Sequence, residues 1–146
     1  MLSMNLFSIR LYVFGAVGAA LMLVGCSDNS ATVCRMVDEM NSAEFREAGV
    51  RSGLFEDAQA QLTDDSLVIT FVCRKFLDFS VVNEEAISEL RKMAVNEFRS
   101  IMNNPDFERG MSALAQEHIS LVLLWEDAYG HTIELTLNPS ELISTK

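Results

Sequence analysis

The sequence predicts an α+β domain: an antiparallel sheet of about four strands, in the order α-β-β-α-α-β-β, with helices on one face. Three observations carry this. Residues Leu67 to Phe76 are rich in Val, Ile, Thr and Phe, and Leu67, Ile69, Phe71 and Cys73 fall on one face of a strand. Ile119 to Trp125 and Thr132 to Leu137 flank the turn Asp127-Ala128-Tyr129-Gly130. The second strand alternates cleanly, with Ile133, Leu135 and Leu137 inward and Thr132, Glu134 and Thr136 outward. Between these strands, Ile87, Leu90, Met93, Ala94, Phe98, Ile101 and Met102 recur at helical spacing.

A first helix is expected near Thr32, capped by Asn29 or Ser30, with Val33, Met36, Val37 and Met40 on its apolar face and Gly49 as its stop. Residues 54–62 fit either a helix (Leu54, Phe55, Ala58, Leu62) or a strand (Leu54, Glu56, Ala58, Ala60, Leu62 on one face). The strand is preferred because the turn cluster Thr63-Asp64-Asp65-Ser66 leads into the clear strand after it. Cys73 then points inward, where it can meet Cys34 on the first helix. Asn83 is an N-cap followed by Glu84 and Glu85, acids that suit a helix N-terminus. This longest helix ends near Asn103-Asn104. Pro105 opens a short helix capped by Asn104, with Phe107, Met111 and Leu114 as its stripe. Asn138-Pro139-Ser140-Glu141 ends the last strand and starts a final helical turn.

The N-terminus points to export. Arg10 is the only charged side chain among the first 25 residues, and Leu11 to Val24 is a fourteen-residue run without charge. As a helix that run is about 21 Å long at ~1.5 Å per residue. A membrane span needs roughly 20 apolar residues, so the run has signal-peptide length. It ends in Leu23-Val24-Gly25-Cys26, which resembles the lipobox of bacterial lipoproteins. The resemblance implies a signal peptide over 1–25, cleavage after Gly25, and diacylglyceryl transfer to Cys26 followed by N-acylation. Residues 26–31 become a short lipidated tether and 32–146 a single domain. Two or more acyl chains anchor stably where one is marginal. Ser27 follows the cysteine and Asp28 comes one place later, which favours the outer membrane, periplasmic side, over retention in the inner membrane.

The formal charge of −10 argues against nucleic acid as a partner, because phosphate neutralisation needs a surplus of Lys and Arg. Removing residues 1–25 takes one arginine and no acid from 11 Lys+Arg and 21 Asp+Glu, leaving −11 on 121 residues. This surplus supports solubility and also fits a basic partner. Cys34 and Cys73 remain as an even pair in an exported chain, so a disulfide is expected. Such a loop would contribute about 4 kcal/mol in the chain-entropy model.

No catalytic constellation is legible, and the chain is not expected to be an enzyme. Cys34, Cys73, His118 and His131 supply the residue types of a zinc site, but no C-x₂-C or H-x₃-H spacing is present. Neither metal nor cofactor is expected. There is no G-x-S-x-G, and Gly49 and Gly53 are followed by no Lys-Ser or Lys-Thr. Glu126 and Asp127 are strand neighbours on opposite faces, which does not make an acid/base pair. The methionines of the helical stripes read as core, and Arg74-Lys75 as a solvated doublet. Trp125 either closes the core or meets a partner, while Tyr129 decorates the turn or anchors that partner. The partner-binding candidates are therefore Trp125, Glu126, Asp127 and Tyr129, beside a groove along the long helix, facing a basic segment of an envelope protein.

The lipobox, the element order, and Asn104-Pro105-Asp106 … Gly110 followed by a strand, the Gly130 turn and another strand are similar to small pilotin lipoproteins of type II secretion, over roughly residues 54–137. The resemblance implies an outer-membrane lipoprotein that captures a helical tail of a secretin subunit. The departure is in the cysteines: that family's staple reaches the C-terminal end, and here no Cys lies after Cys73. The alternative is an inhibitor or immunity lipoprotein directed at a basic periplasmic enzyme.

Overall fold

The structure, a computed structural model, describes residues 29–51, 55–73, 78–100 and 102–143, without the side chains of Asn29 and Asp106. The signal peptide, the lipobox with Cys26, and Gly53, Leu54, Arg74, Lys75 and Ile101 lie outside the described residues.

Among the described residues, five helices and four strands follow one another as α1 (Asn29–Met40), α2 (Ala43–Arg51), β1 (Asp57–Leu62), β2 (Ser66–Val72), α3 (Glu84–Ser100), α4 (Pro105–Gln116), β3 (Ser120–Glu126), β4 (Thr132–Leu137) and α5 (Pro139–Ile143). A 3₁₀ turn, Phe79–Val81, precedes α3. The α+β class and the small sheet are as expected. Residues 57–62 resolve as strand, since β1 needs the ladder that the turn at 63–66 offers it.

The sheet has the order β1-β2-β3-β4. Its two hairpins are antiparallel, but the central pair β2–β3 is parallel, running from Ser66 opposite Ser120 to Val72 opposite Glu126. The sheet is thus mixed rather than antiparallel throughout. Between β2 and β3 the chain crosses over through α3 and α4. A crossover of that length returns it to the starting end of β2, as a parallel pair requires.

The inner face of the sheet is apolar along every strand. Ala58, Ala60, Leu67, Ile69, Phe71, Leu121, Leu123, Trp125, Ile133, Leu135 and Leu137 are all buried. Against them pack Met36 and Met40 of α1, Leu90, Ala94 and Phe98 of α3, and Phe107, Met111 and Leu114 of α4. Phe71 stacks on Trp125 at 5.9 Å and Phe98 on Phe107 at 5.8 Å. The caps expected at Asn83 and Asn104 are present: the Ala86 N–H donates to Asn83 Oδ1 (2.8 Å) and the Phe107 N–H to Asn104 Oδ1 (3.3 Å).

The first helix departs from expectation in two ways. It begins at Asn29, and it breaks after Met40, where the Ser42 hydroxyl accepts from the Phe45 N–H (3.2 Å) and starts α2. Gly49 does not stop the helix; it lies inside α2, buried. Its role is close approach, since a Cβ there would stand 1.8 Å from Phe55 Cζ. Asn41, in the break, turns its amide to β1. Its Nδ2 donates to the Ala60 carbonyl and its Oδ1 accepts from the Ala60 N–H, both at 2.8 Å. A side chain thereby occupies backbone groups of an edge strand that would otherwise invite pairing.

The expected Cys34–Cys73 disulfide is not formed; both thiols are free. Val33, Met36 and Met40 turn one face of α1 inward, and that rotation leaves Cys34 on the exposed face. Cys73 is buried just past β2, in phase with Leu67, Ile69 and Phe71. Its burial, assisted by the charge of Glu56, pushes the thiol up to about 12.

Candidate functional site

Along β3, Leu121, Leu123 and Trp125 alternate inward, and Asp127 continues that phase one step beyond the strand. Trp125 is 1% exposed and Asp127 2%. Neither can contact a partner, so these two leave the expected binding set. Glu126 is half-buried, and Tyr129 stands 71% exposed at the hairpin tip.

An unpaired carboxylate at the end of an apolar core would be costly, and Asp127 is fully engaged. Its Oδ1 accepts from the N–H groups of Tyr129 and His131, each at 2.8 Å. Its Oδ2 accepts from the Phe79 N–H at 2.7 Å and lies 3.1 Å from His131 Nδ1. Burial works against the charge, but the hydrogen bonds from Phe79, His131 and Tyr129 outweigh it and hold the carboxyl below the usual range. One side chain thus ties the 3₁₀ turn to the hairpin tip, bringing exposed Val81 and exposed Tyr129 to the same end of the sheet. Gly130 completes the turn at φ +84°, in the left-handed region, and its N–H donates to the Asp127 carbonyl at 3.4 Å.

Asp78 stands beside this clamp. Its Oδ1 accepts from the Ser80 hydroxyl (2.6 Å) and the Ser80 N–H (3.0 Å), and these bonds lower its carboxyl below the ordinary value. His131 Nδ1 is 3.7 Å from Asp78 Oδ1, and its ring tilts against Tyr129 at 6.2 Å. Single ligand atoms of Asp78, Asp127 and His131 lie within 4.8 Å of one another. Each Asp127 oxygen already takes two partners, which uses the roughly four acceptor sites of a carboxylate. The arrangement is a structural clamp on the hairpin.

The four residues with zinc-ligand chemistry are not brought together. His118 precedes β3 and His131 precedes β4, so an antiparallel hairpin holds them at opposite ends. His118 is the left-handed residue that closes α4, at φ 56°. The Ile119 N–H donates to the Leu114 carbonyl and the His118 N–H to that of Ala115, the paired bonds of a Schellman cap. With Ser120, Asn138 and Ser140 it lines a polar pocket of about 180 Å³.

Asp78 and Val81 are not expected at this end from sequence, and His131, which the sequence does place at the hairpin turn, is not in the expected site set. The signal for Asp78 was readable: Asp-Phe-Ser ahead of the long helix is an Asx-type cap for a short turn. Val81 carried no local signal, because its place depends on a bond to Asp127, 48 positions after Phe79.

Compared with protein-family models, curated proteins and solved structures, the chain matches none.

Proposed function

We propose that this chain is a lipid-anchored bacterial envelope lipoprotein, held at the outer membrane on its periplasmic side through Cys26, and that its domain is a protein-binding or assembly module. The anchor rests on Leu23-Val24-Gly25-Cys26 behind an uncharged run of signal-peptide length. Among the described residues no helix is long and apolar enough to cross a membrane.

The observation that carries the binding role is Tyr129, a large aromatic side chain 71% exposed on a tip fixed by the buried Asp127 carboxylate. An exposed tyrosine on a preorganised turn loses little freedom on binding and supplies apolar area with a polar handle. Val81, 57% exposed on the turn clamped to the same carboxylate, adds apolar surface. The net charge of −10 suits a basic partner, whose approach it would accelerate. The acidity equally favours the inhibitor reading, and the nature of the captured partner separates the two.

The test has two arms. In cells fed a clickable fatty acid, the wild-type chain takes up label and Cys26→Ser accumulates as unlabelled precursor; label on that variant removes the anchor. A photo-crosslinker in place of Tyr129 then captures the partner. The association rate with that purified partner falls as salt rises, since screening acts over ~8–10 Å. A salt-independent rate, with Tyr129→Ala and Glu126→Gln both silent, removes the hairpin end as the binding surface.

A further inference from the structure

The two edges of the sheet are treated differently. In the β1–β2 hairpin the Thr63 N–H bonds the Ser66 carbonyl. Every second residue from Thr63 back therefore bonds inward, and the backbone groups of Ala58, Ala60 and Leu62 point out of the sheet. The chain occupies half of these groups: Asn41 takes both groups of Ala60, and the Asp57 carboxylate accepts from the Ala58 N–H at 2.9 Å.

At β4 the Asp127 N–H bonds the His131 carbonyl, so residues 133, 135 and 137 bond to β3, and the N–H and C=O of Thr132, Glu134 and Thr136 point outward. All three residues are exposed. Among the described residues no backbone or side-chain group is hydrogen-bonded to these outward groups. The strand is Thr-Ile-Glu-Leu-Thr-Leu, with Ile133, Leu135 and Leu137 holding it to the core from one face. It is a pinned, extended template with unused backbone groups.

We infer that this edge is a strand-addition site that takes an extended segment of a basic envelope partner, with Lys or Arg placed opposite Glu134. The inference rests on the protein-binding reading and specifies how the partner docks. Main-chain bonds to Thr132, Glu134 and Thr136 supply the affinity, and the cross-strand partner of Glu134 supplies the selectivity. Charge argues against a second copy as occupant. Symmetric antiparallel pairing over the whole strand sets 132 against 136 and Glu134 against Glu134, two like charges directly opposed. Tyr129 lies three positions before β4 and offers an aromatic contact where the added strand ends.

The experiment uses the full chain purified in detergent micelles and two nine-residue peptides of alternating Thr and Val, one with Lys and one with Glu at the centre. Amide hydrogen exchange is followed at Thr132, Glu134 and Thr136. The Lys-centred peptide slows exchange at these three amides and binds about fivefold tighter than the Glu-centred one, as opposite against like cross-strand charges require. Glu134→Lys reverses the preference. Thr136→Pro removes an outward N–H that β3 does not use, so it abolishes binding while the melting curve is kept. If that variant fails to fold, the reversal by Glu134→Lys still decides.

Equal binding of the two peptides overturns the inference, as does peptide contact confined to Val81 and Tyr129 with fast-exchanging edge amides. Edge protection without peptide also overturns it: a rise with protein concentration names a second copy, and protection independent of concentration names a segment of this chain. Crosslinking from Tyr129 to a basic envelope protein whose binding leaves the edge amides fast overturns strand addition and leaves the module reading standing.

Discussion

Replacing Asp127 by Asn keeps the shape of the side chain and removes one acceptor. If Oδ1 stays facing the N–H groups of Tyr129 and His131, the new amide nitrogen faces the Phe79 N–H, where the carboxylate oxygen accepts at 2.7 Å. Flipping the amide is worse, since two N–H groups then face a donor. The loss is one charge-assisted bond, about 1.5–3 kcal/mol, and the remaining bonds weaken to neutral ones, so a total of about 2–4 kcal/mol is expected. Trp125, the single tryptophan, is buried two residues away and reports unfolding through its emission. With a urea slope of about 2 kcal/mol per M, the midpoint should fall by about 1–2 M. The carboxyl's folded-state pKa is lowered, so its contribution is fully present above the unfolded value of about 3.9 and is lost as pH falls through the folded value. The gap between wild type and Asp127→Asn should therefore be constant at neutral pH and close in acid. A variant within about 0.5 kcal/mol of wild type, the noise expected for an ordinary surface change, would refute the clamp. So would a gap that persists unchanged below the folded pKa.

Gly49→Ala gains roughly 1 kcal/mol of helix propensity but drives a methyl into the Phe55 ring, and overpacking of about 1–3 kcal/mol should prevail. Thermal melts should show a net loss that adding Phe55→Leu reduces. In the native protein a maleimide should label exposed Cys34 quickly and leave Cys73, whose burial raises its thiol to about 12, unlabelled until urea is added. A Cys34–Cys73 link in non-reducing mass spectrometry would contradict the structure. His118→Gly should stabilise the domain by about 1 kcal/mol in urea unfolding, by relieving a left-handed side-chain residue at the cap of α4. An unchanged or lower midpoint would mean that the His118 side chain contributes in the pocket with Ser120 and Asn138.

What was legible followed from local chemistry. The caps at Asn83 and Asn104, the stripe through Leu90, Ala94 and Phe98, and the alternation of β4 are short-range patterns, and each falls where expected. Three misreadings are long-range. The parallel β2–β3 pair depends on how two helices return the chain, which no strand's own alternation encodes. Gly49 resembles a helix stop until Phe55 is seen against it. The thiol pair was expected to meet because both residues lie on core-forming elements. The rotation of α1, set by Val33, Met36 and Met40 together, places Cys34 outside.

The hairpin end carries the same lesson into function. Four polar and aromatic residues close in sequence suggest one surface, yet alternation along β3 sends Trp125 and Asp127 in and leaves Glu126 accessible, while the turn puts Tyr129 in solvent. If the proposed binding role holds, the two buried members still matter to it, because Trp125 anchors the strand and Asp127 fixes the turn that presents Tyr129. Holding the end of β4 in register also keeps Thr132, Glu134 and Thr136 aimed outward as one row. A mutation at Asp127 should therefore weaken partner binding without Asp127 touching the partner. Tyr129→Ala, by contrast, should lower affinity while stability is kept, because its side chain is mostly in solvent. Measuring both variants for stability and for binding separates the surface that meets the partner from the carboxylate that shapes it.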